Sequence, residues 1–183
     1  MKREEALELL FQHTKSESLR KHAFAVEAAM RHFARLANED EEKWGITGLL
    51  HDLDYEEHPT KEEHPMTGVK ILESLSYPPD VILAIKGHAD YLSEPRVTLM
   101  AKTLYAIDEL TGFVIACALV RPDKKVAGVE VPSVKKKMKD KAFARAVNRE
   151  EIIKGARELN KELDWVIEQV IKSLQGIADT LGL

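Results

Sequence analysis

Cysteine, glycine and proline are scarce in the sequence, and each shortage narrows the class of protein. Cys117 is the only cysteine among 183 residues, so no disulfide can form within the chain. It lies in an apolar segment with helical spacing, which predicts a buried structural thiol rather than a nucleophile. Only 9 glycines and 7 prolines interrupt the chain, so long regular elements are expected.

Long apolar runs and a strong charge of either sign are also missing. No apolar stretch reaches the length that crosses a bilayer, and the acidic pair Glu4-Glu5 argues against a secretory signal. We therefore expect a cytoplasmic protein without a membrane partner. The net charge of −4, from 27 basic and 31 acidic residues, gives no general case for nucleic-acid binding. The length suits one domain with a sizeable core.

Apolar residues recur at helical spacing along nearly the whole chain, whereas no segment alternates convincingly with a period of two. The predicted fold class is therefore all-α. Caps, prolines and apolar stripes predict helices over 2–12, 18–37, 40–50, 65–75, 79–88 and 97–119, short helices within 134–147, a helix capped by Asn148 and Glu151, and a last helix over 161–181. Residues 54–63 predict a polar loop, and residues 121–133 a second loop with a short strand pair around 126–131.

Four residues with metal-binding side chains fall at inward or boundary positions. His22 lies about 60° from the centre of the apolar stripe of its predicted helix, at the boundary of the core. His51 and Asp52 end an apolar helix, where the alternative is a histidine favoured by the helix dipole. Asp108 lies at the edge of the buried arc of helix 97–119, where the alternative is an ion pair with arginine or lysine. Glu109 is expected on the exposed face.

Two further histidines join this set as candidate ligands. His88 falls on the inward stripe of its helix, where the alternative is a hydrogen-bonded core histidine. His64 stands at a helix start, where the alternative is a capping residue. Imidazole and carboxylate donors together suit iron, manganese, zinc and nickel. The hypothesis is one metal on the first four residues and a second on His64 and His88, bridged by Asp52; His32 and His58 are expected to face solvent.

At these positions the chain resembles the HD superfamily of metal-dependent phosphohydrolases. The superfamily's H…HD…D signature is matched in order by His22, His51-Asp52 and Asp108. His64, in HPMTG, and His88, in IKGHA, are similar to the extra histidines of its dinuclear branch. The stretches LLHDLDYEEHP and LYAIDELTGF resemble a bacterial and archaeal subgroup of predicted HD hydrolases. The resemblance covers about residues 18–112.

The resemblance implies a fold, a cofactor and a reaction. The implied fold is a helical bundle with the metal site in its core, here one HD domain over 1–183. Its core spans about 16–120, and the basic and C-terminal helices of 133–183 pack on it. One or two divalent ions are implied, iron or manganese before zinc, nickel or magnesium. The implied reaction is hydrolysis of a small phosphorylated molecule or nucleotide by a metal-bound hydroxide, with His51 and Asp52 as catalytic residues.

Two departures and two alternatives accompany the resemblance. No GYP motif follows His88, which counts against the cyclic-dinucleotide phosphodiesterase branch. Tyr55 stands where some mononuclear nucleotidases have an acidic helper, for which Asp54 or Glu56 could substitute. Diiron oxygenases such as myo-inositol oxygenase share the six-ligand order, so oxygen chemistry is one alternative. A binding or regulatory module that retains the metal without turnover is the other.

A basic segment at 133–149 supplies candidate substrate ligands. Lysine attracts phosphate as a point charge, and arginine binds it with two hydrogen bonds. The candidates for a cationic rim that binds a small anionic substrate are Arg121, Lys135, Lys136, Lys137 and Arg145. The alternative is a solvated helix face. Phe143 is the only aromatic residue in the segment, which argues against a nucleic-acid partner, and the oligomeric state is left open.

Overall fold

The computed structural model describes residues 2–183, and within them it is helical without β-strands, which confirms the all-α prediction. The α-helices are α1 (Arg3–His13), α2 (Glu17–Ala37), α3 (Glu41–Leu50), α4 (Met66–Ser74), α5 (Pro79–His88), α6 (Leu99–Leu119), α7 (Val131–Met138), α8 (Arg149–Glu158), α9 (Leu163–Gln175) and α10 (Ala178–Leu181). Short 3-10 turns span Asp90–Leu92 and Val126–Gly128. No helix among the described residues combines the length and apolarity that crossing a membrane requires.

Side-chain caps explain where several helices begin. The Asp40 carboxylate accepts from the Lys43 amide at 3.0 Å at the start of α3, and the Thr98 hydroxyl caps α6 in the same way. The Asn148 side chain accepts from the amides of Glu150 and Glu151, as predicted for α8. Its own backbone amide donates to Glu109, so the reciprocal half of a capping box is replaced by a contact with α6.

The core is built around α6, which contacts α2, α5, α8 and α9. Its inward side chains are fully buried, as the apolar arc of the sequence predicts; they include Leu104, Ile107, Leu110, Phe113 and Val114. α8 lies very close to α6, because Gly155 has no side chain: a Cβ there would lie 2.4 Å from the Ala106 Cα. Cys117 is 5% exposed, which confirms the buried thiol.

Three local predictions were wrong. The strand pair expected around 126–131 is the 3-10 turn Val126–Gly128 followed by the start of α7, with Pro132 in its first turn. The last helix is broken, since α9 ends at Gln175 and α10 begins at Ala178. His32 does not face open solvent: its Nε2 lies 3.0 Å from the Gln169 side-chain oxygen, because α9 packs on that side of α2.

Candidate metal centre

Six candidate ligands reach one region from five parts of the chain. His22 lies in α2, His51 and Asp52 directly follow α3, His64 precedes α4, His88 ends α5 and Asp108 lies in the middle of α6. Close packing of α3 on α2 brings His51 and Asp52 near His22. A Cβ at Gly48 would lie 2.9 Å from the carbonyl oxygen of Val26, so glycine allows the two helices to approach.

The ligand atoms form two groups. In the first, Asp108 Oδ1 lies 3.0 Å from His22 Nε2 and 3.3 Å from His51 Nε2. The second group contains Asp52, His64 and His88, and within each group every ligand atom lies within 4.8 Å of the others. Both arrangements are compatible with a metal ion held by imidazole nitrogen and carboxylate oxygen.

Asp52 faces both groups with its two carboxylate oxygens. Its Oδ1 lies 3.4 Å from His64 Nε2 and 3.3 Å from His88 Nε2. Its Oδ2 points to the other group, 3.4 Å from His51 Nε2 and 3.8 Å from His22 Nε2. A carboxylate in this position can offer one oxygen to each of two ions.

Hydrogen bonds behind the imidazoles fix which nitrogen faces the site. His51 Nδ1 donates to the Gly48 carbonyl at 2.8 Å, and His88 Nδ1 donates to the Ile85 carbonyl at 2.5 Å. His64 Nδ1 donates to Asp54 Oδ1 at 2.8 Å. With the proton on Nδ1, each Nε2 presents a lone pair to the centre, which is the tautomer that a metal ion requires.

The Nε2 atoms that face the site are placed to bind a cation rather than to hydrogen-bond with one another. The Nε2 atoms of His64 and His88 are only 3.2 Å apart, so both cannot carry a proton in that space. The Nε2 of His51 is buried and has no hydrogen-bond partner within residues 2–183. Buried polar atoms are normally satisfied, and bound metal ions would satisfy these.

The site is electrostatically coupled. Burial lowers the pKa of His51 and His88, but the nearby carboxylate of Asp52, with that of Asp108, outweighs burial and raises both pKa values above the usual one. Burial alone raises the pKa of Asp52 and Asp108, but the facing imidazoles hold both pKa values well below the usual range. The carboxylates are therefore ionised, and protons compete with metal for the imidazoles of His51 and His88.

Asp54 holds His64 in place from outside the two ligand groups, a role that the sequence did not indicate. Its side chain is buried, and its two oxygens accept from His64 Nδ1 and from the Gly68 amide at 2.7 Å. It thus links His64 to the start of α4. The sequence placed Asp54 in a polar loop and indicated it, with Glu56, only as a substitute for the acidic helper that is missing at Tyr55. His58 stays outside the cluster, paired with Glu63.

A cavity of about 490 Å³ opens over the two groups. Its wall includes Tyr55, Lys61, Tyr91, Glu109 and Glu151. Leu19, Gly112, Ala146 and Val147 are among its apolar lining residues. The volume is in the range of small-molecule sites.

The expectation that Glu109 is exposed was wrong. It is partly buried in the cavity wall, and its carboxylate accepts from the Asn148 amide at 3.1 Å. Burial, with the nearby charge of Asp108, raises the pKa of Glu109 to about 7. Helical phase within α6 could not show that the segment before α8 covers this face.

The structure does not bring the predicted cationic rim to this cavity. None of the five residues lines its wall; they are Arg121, Lys135, Lys136, Lys137 and Arg145. Arg121 pairs with Asp123, and Lys135 pairs with Asp164 of α9. For the three lysines the reason is that α7 packs on α9 and on the end of α6, about 16 Å along that helix from Asp108. Arg145 directly precedes the lining residue Ala146, but its own side chain is exposed outside the wall.

Comparison with known proteins identifies one family. The family model described as HD domain matches residues 19–112, just over half of the chain. The matched range contains all six candidate ligands and Asp54. Comparisons with curated proteins and with solved structures found no match.

Proposed function

The chain belongs to the HD-domain family, and on that basis we propose that it is a metal-dependent hydrolase of a small phosphorylated molecule or nucleotide phosphate ester. The observation that carries the proposal is Asp52, whose two oxygens each face a separate group of metal-type ligands. The second support is the cavity of about 490 Å³ above those groups, which provides room for a substrate.

We infer a site for two divalent ions, one for each group. His22, His51 and Asp108 would hold the first, and His64 and His88 the second, with Asp52 shared between them. Three or four mixed nitrogen and oxygen donors favour iron or manganese, with zinc, nickel and magnesium as further candidates.

Bound divalent ions would lower the pKa of water and polarise a phosphoryl oxygen. The contribution of the chain itself is to fix the ligands and to shape the cavity. The carbonyls of Gly48 and Ile85 and the carboxylate of Asp54 hold three imidazoles in one tautomer, so no ligand has to reorient during the reaction. Leu19 and Val147 add apolar surface to the cavity wall.

The test is a hydrolysis screen on protein of known metal content. Purified protein is analysed for metals, reconstituted with manganese or iron(II) without oxygen, and assayed for phosphate release from monoesters and diesters. We expect hydrolysis that Asp52→Ala abolishes and that Asp179→Asn, an exposed aspartate of α10, leaves unchanged. Absence of hydrolysis with every metal would overturn the proposal, and turnover that requires oxygen would assign the site to the diiron oxygenases.

A further inference from the structure

Lys61 is the only lysine or arginine in the wall of the metal-site cavity within the described residues. Its ammonium lies 5.4 Å from the centre of the Tyr91 ring, within the range of a cation–π contact. The Tyr91 hydroxyl donates to the carbonyl of His64 at 2.6 Å. This bond ties the loop of Lys61 to the turn after α5, and it places the free cation on the same side of the cavity as the His64 and His88 group.

Two carboxylates also line the wall, and Asn148 donates a hydrogen bond to each of them. The backbone amide of Asn148 donates to Glu109 at 3.1 Å, and its side-chain amide donates to Glu151 at 2.6 Å. Each carboxylate keeps a second oxygen that accepts no hydrogen bond from residues 2–183. Free carboxylate oxygens accept hydrogen bonds from hydroxyl and ammonium groups and repel further phosphates.

The charges of the wall limit how many phosphates fit. Asp90 adds no free charge, because Arg96 and Lys154 pair with it at 2.9 and 2.6 Å. Among the lining side chains Lys61 is the one free cation within the described residues, and the carboxylates of Glu109 and Glu151 face the same cavity. One phosphate group can pair with Lys61, whereas the further phosphates of a triphosphate would meet no second lysine or arginine in the described wall and would approach the two carboxylates.

We propose that the site selects molecules with a single phosphate group, bound beside the ligand groups by Lys61, and with a hydroxyl- or amine-bearing organic part bound by Glu109 and Glu151. The proposal rests on the hydrolase function above and names its substrate class. Lys61 acts on affinity, since it contacts the phosphate and holds no ligand of either group.

The first test measures binding of inorganic phosphate to the metal-loaded protein by calorimetry. Lys61→Met should weaken binding at least about 10-fold, because it removes a charged hydrogen-bond donor. Lys70→Met is the matched control, an exposed lysine of α4 outside the cavity, and should bind as the parent does. Equal binding by all three proteins, with equal metal content, would overturn the role of Lys61.

The second test measures binding of matched phosphate compounds by displacement of phosphate. The parent should bind adenosine monophosphate more tightly than adenosine triphosphate, and glycerol or ethanolamine phosphate more tightly than propyl phosphate. Glu151→Gln should reduce the second preference, and Glu150→Gln, an exposed neighbour in α8, should keep it. Equal affinity for one and three phosphates, or an unchanged preference in Glu151→Gln, would overturn the proposal. If either of these contradicting results is found while the screen still shows phosphate release, the hydrolase function is retained and only the proposed substrate class is wrong.

Discussion

The candidate metal ligands could be predicted from the sequence, whereas several other side chains around the site could not. His22 and Asp108 could be predicted because helical phase places them at the core boundary, and both lie there in the structure. Asp54 and Lys61 lie in a turn-rich loop, where no periodicity indicates which side chains point inward. Glu109 was misplaced because exposure depends on a segment 39 residues further along the chain.

Replacing Asp52 with alanine should remove metal from both groups. One side chain offers an oxygen to each, at 3.3 to 3.4 Å from the facing nitrogens of His51 and His88. Elemental analysis should find metal reduced to a small fraction, while far-UV circular dichroism stays helical, because α3 and α6 do not depend on this residue for packing. Full metal content in the variant would show that Asp52 is not a ligand.

Replacing Asp54 with asparagine should weaken metal binding on the His64 side only. The carboxylate accepts from both His64 Nδ1 and the Gly68 amide, whereas an amide offers one oxygen and would turn a donor toward one of them. Loss of such an outer partner typically weakens affinity by about 10- to 100-fold. Titration should show one weakened ion and one unchanged; equal weakening of both, or of neither, would contradict this assignment. Asp179→Asn is the control.

At the scale of helices, the sequence predicts where elements begin better than how they pack. Asp40 and Asn148 were predicted at helix starts and cap α3 and α8, because a side-chain acceptor satisfies amides that the helix leaves free. The valines at 126–131 favoured a strand pair, yet Val126 and Val129 are buried by a 3-10 turn and need no strand partner. Tertiary packing, and not the β-propensity of the valines, therefore decides the local structure here.

The contact of α8 with α6 predicts opposite effects of two glycine-to-alanine changes. A Cβ at Gly155 would lie 2.4 Å from the Ala106 Cα, so Gly155→Ala should lower the free energy of unfolding by about 1–3 kcal/mol through overpacking. At Gly112 of α6 nothing lies within 4 Å of an added Cβ, so Gly112→Ala should raise it by about 0.5–1 kcal/mol through helix propensity. Urea unfolding of the metal-free proteins measures both, and a Gly155→Ala variant as stable as the parent would contradict the close packing.

At the scale of the whole molecule, the lysines of α7 and the metal-site cavity belong to different surfaces. The sequence predicted the all-α class, the helical order and a shared metal site from local patterns. The sequence could not show where α7 packs. Its position on one end of α6 depends on contacts between elements that are distant in the chain. Lys136 and Lys137 accordingly line a separate cavity with Cys117 and Arg121.

Removing the charges of the α7 lysines should therefore leave phosphate binding at the metal-site cavity unaffected. Alanine at Lys135, Lys136 and Lys137 together should change phosphate affinity and KM by less than about twofold at physiological salt, since exposed charges are screened over about 8 Å. Lys61→Met provides the contrast within the same assay. A large rise in KM for the triple variant would show that these lysines contribute to substrate binding.

Metal titration of the metal-free protein tests the central claim most directly. We expect saturation at two equivalents of manganese or iron(II) in the parent and in His58→Ala, a loop histidine outside the cluster. His88→Ala should saturate at one, because it removes a ligand of the second group and leaves His22, His51 and Asp108 intact. Saturation of the parent at one equivalent, with His88→Ala unchanged, would contradict the two-ion site.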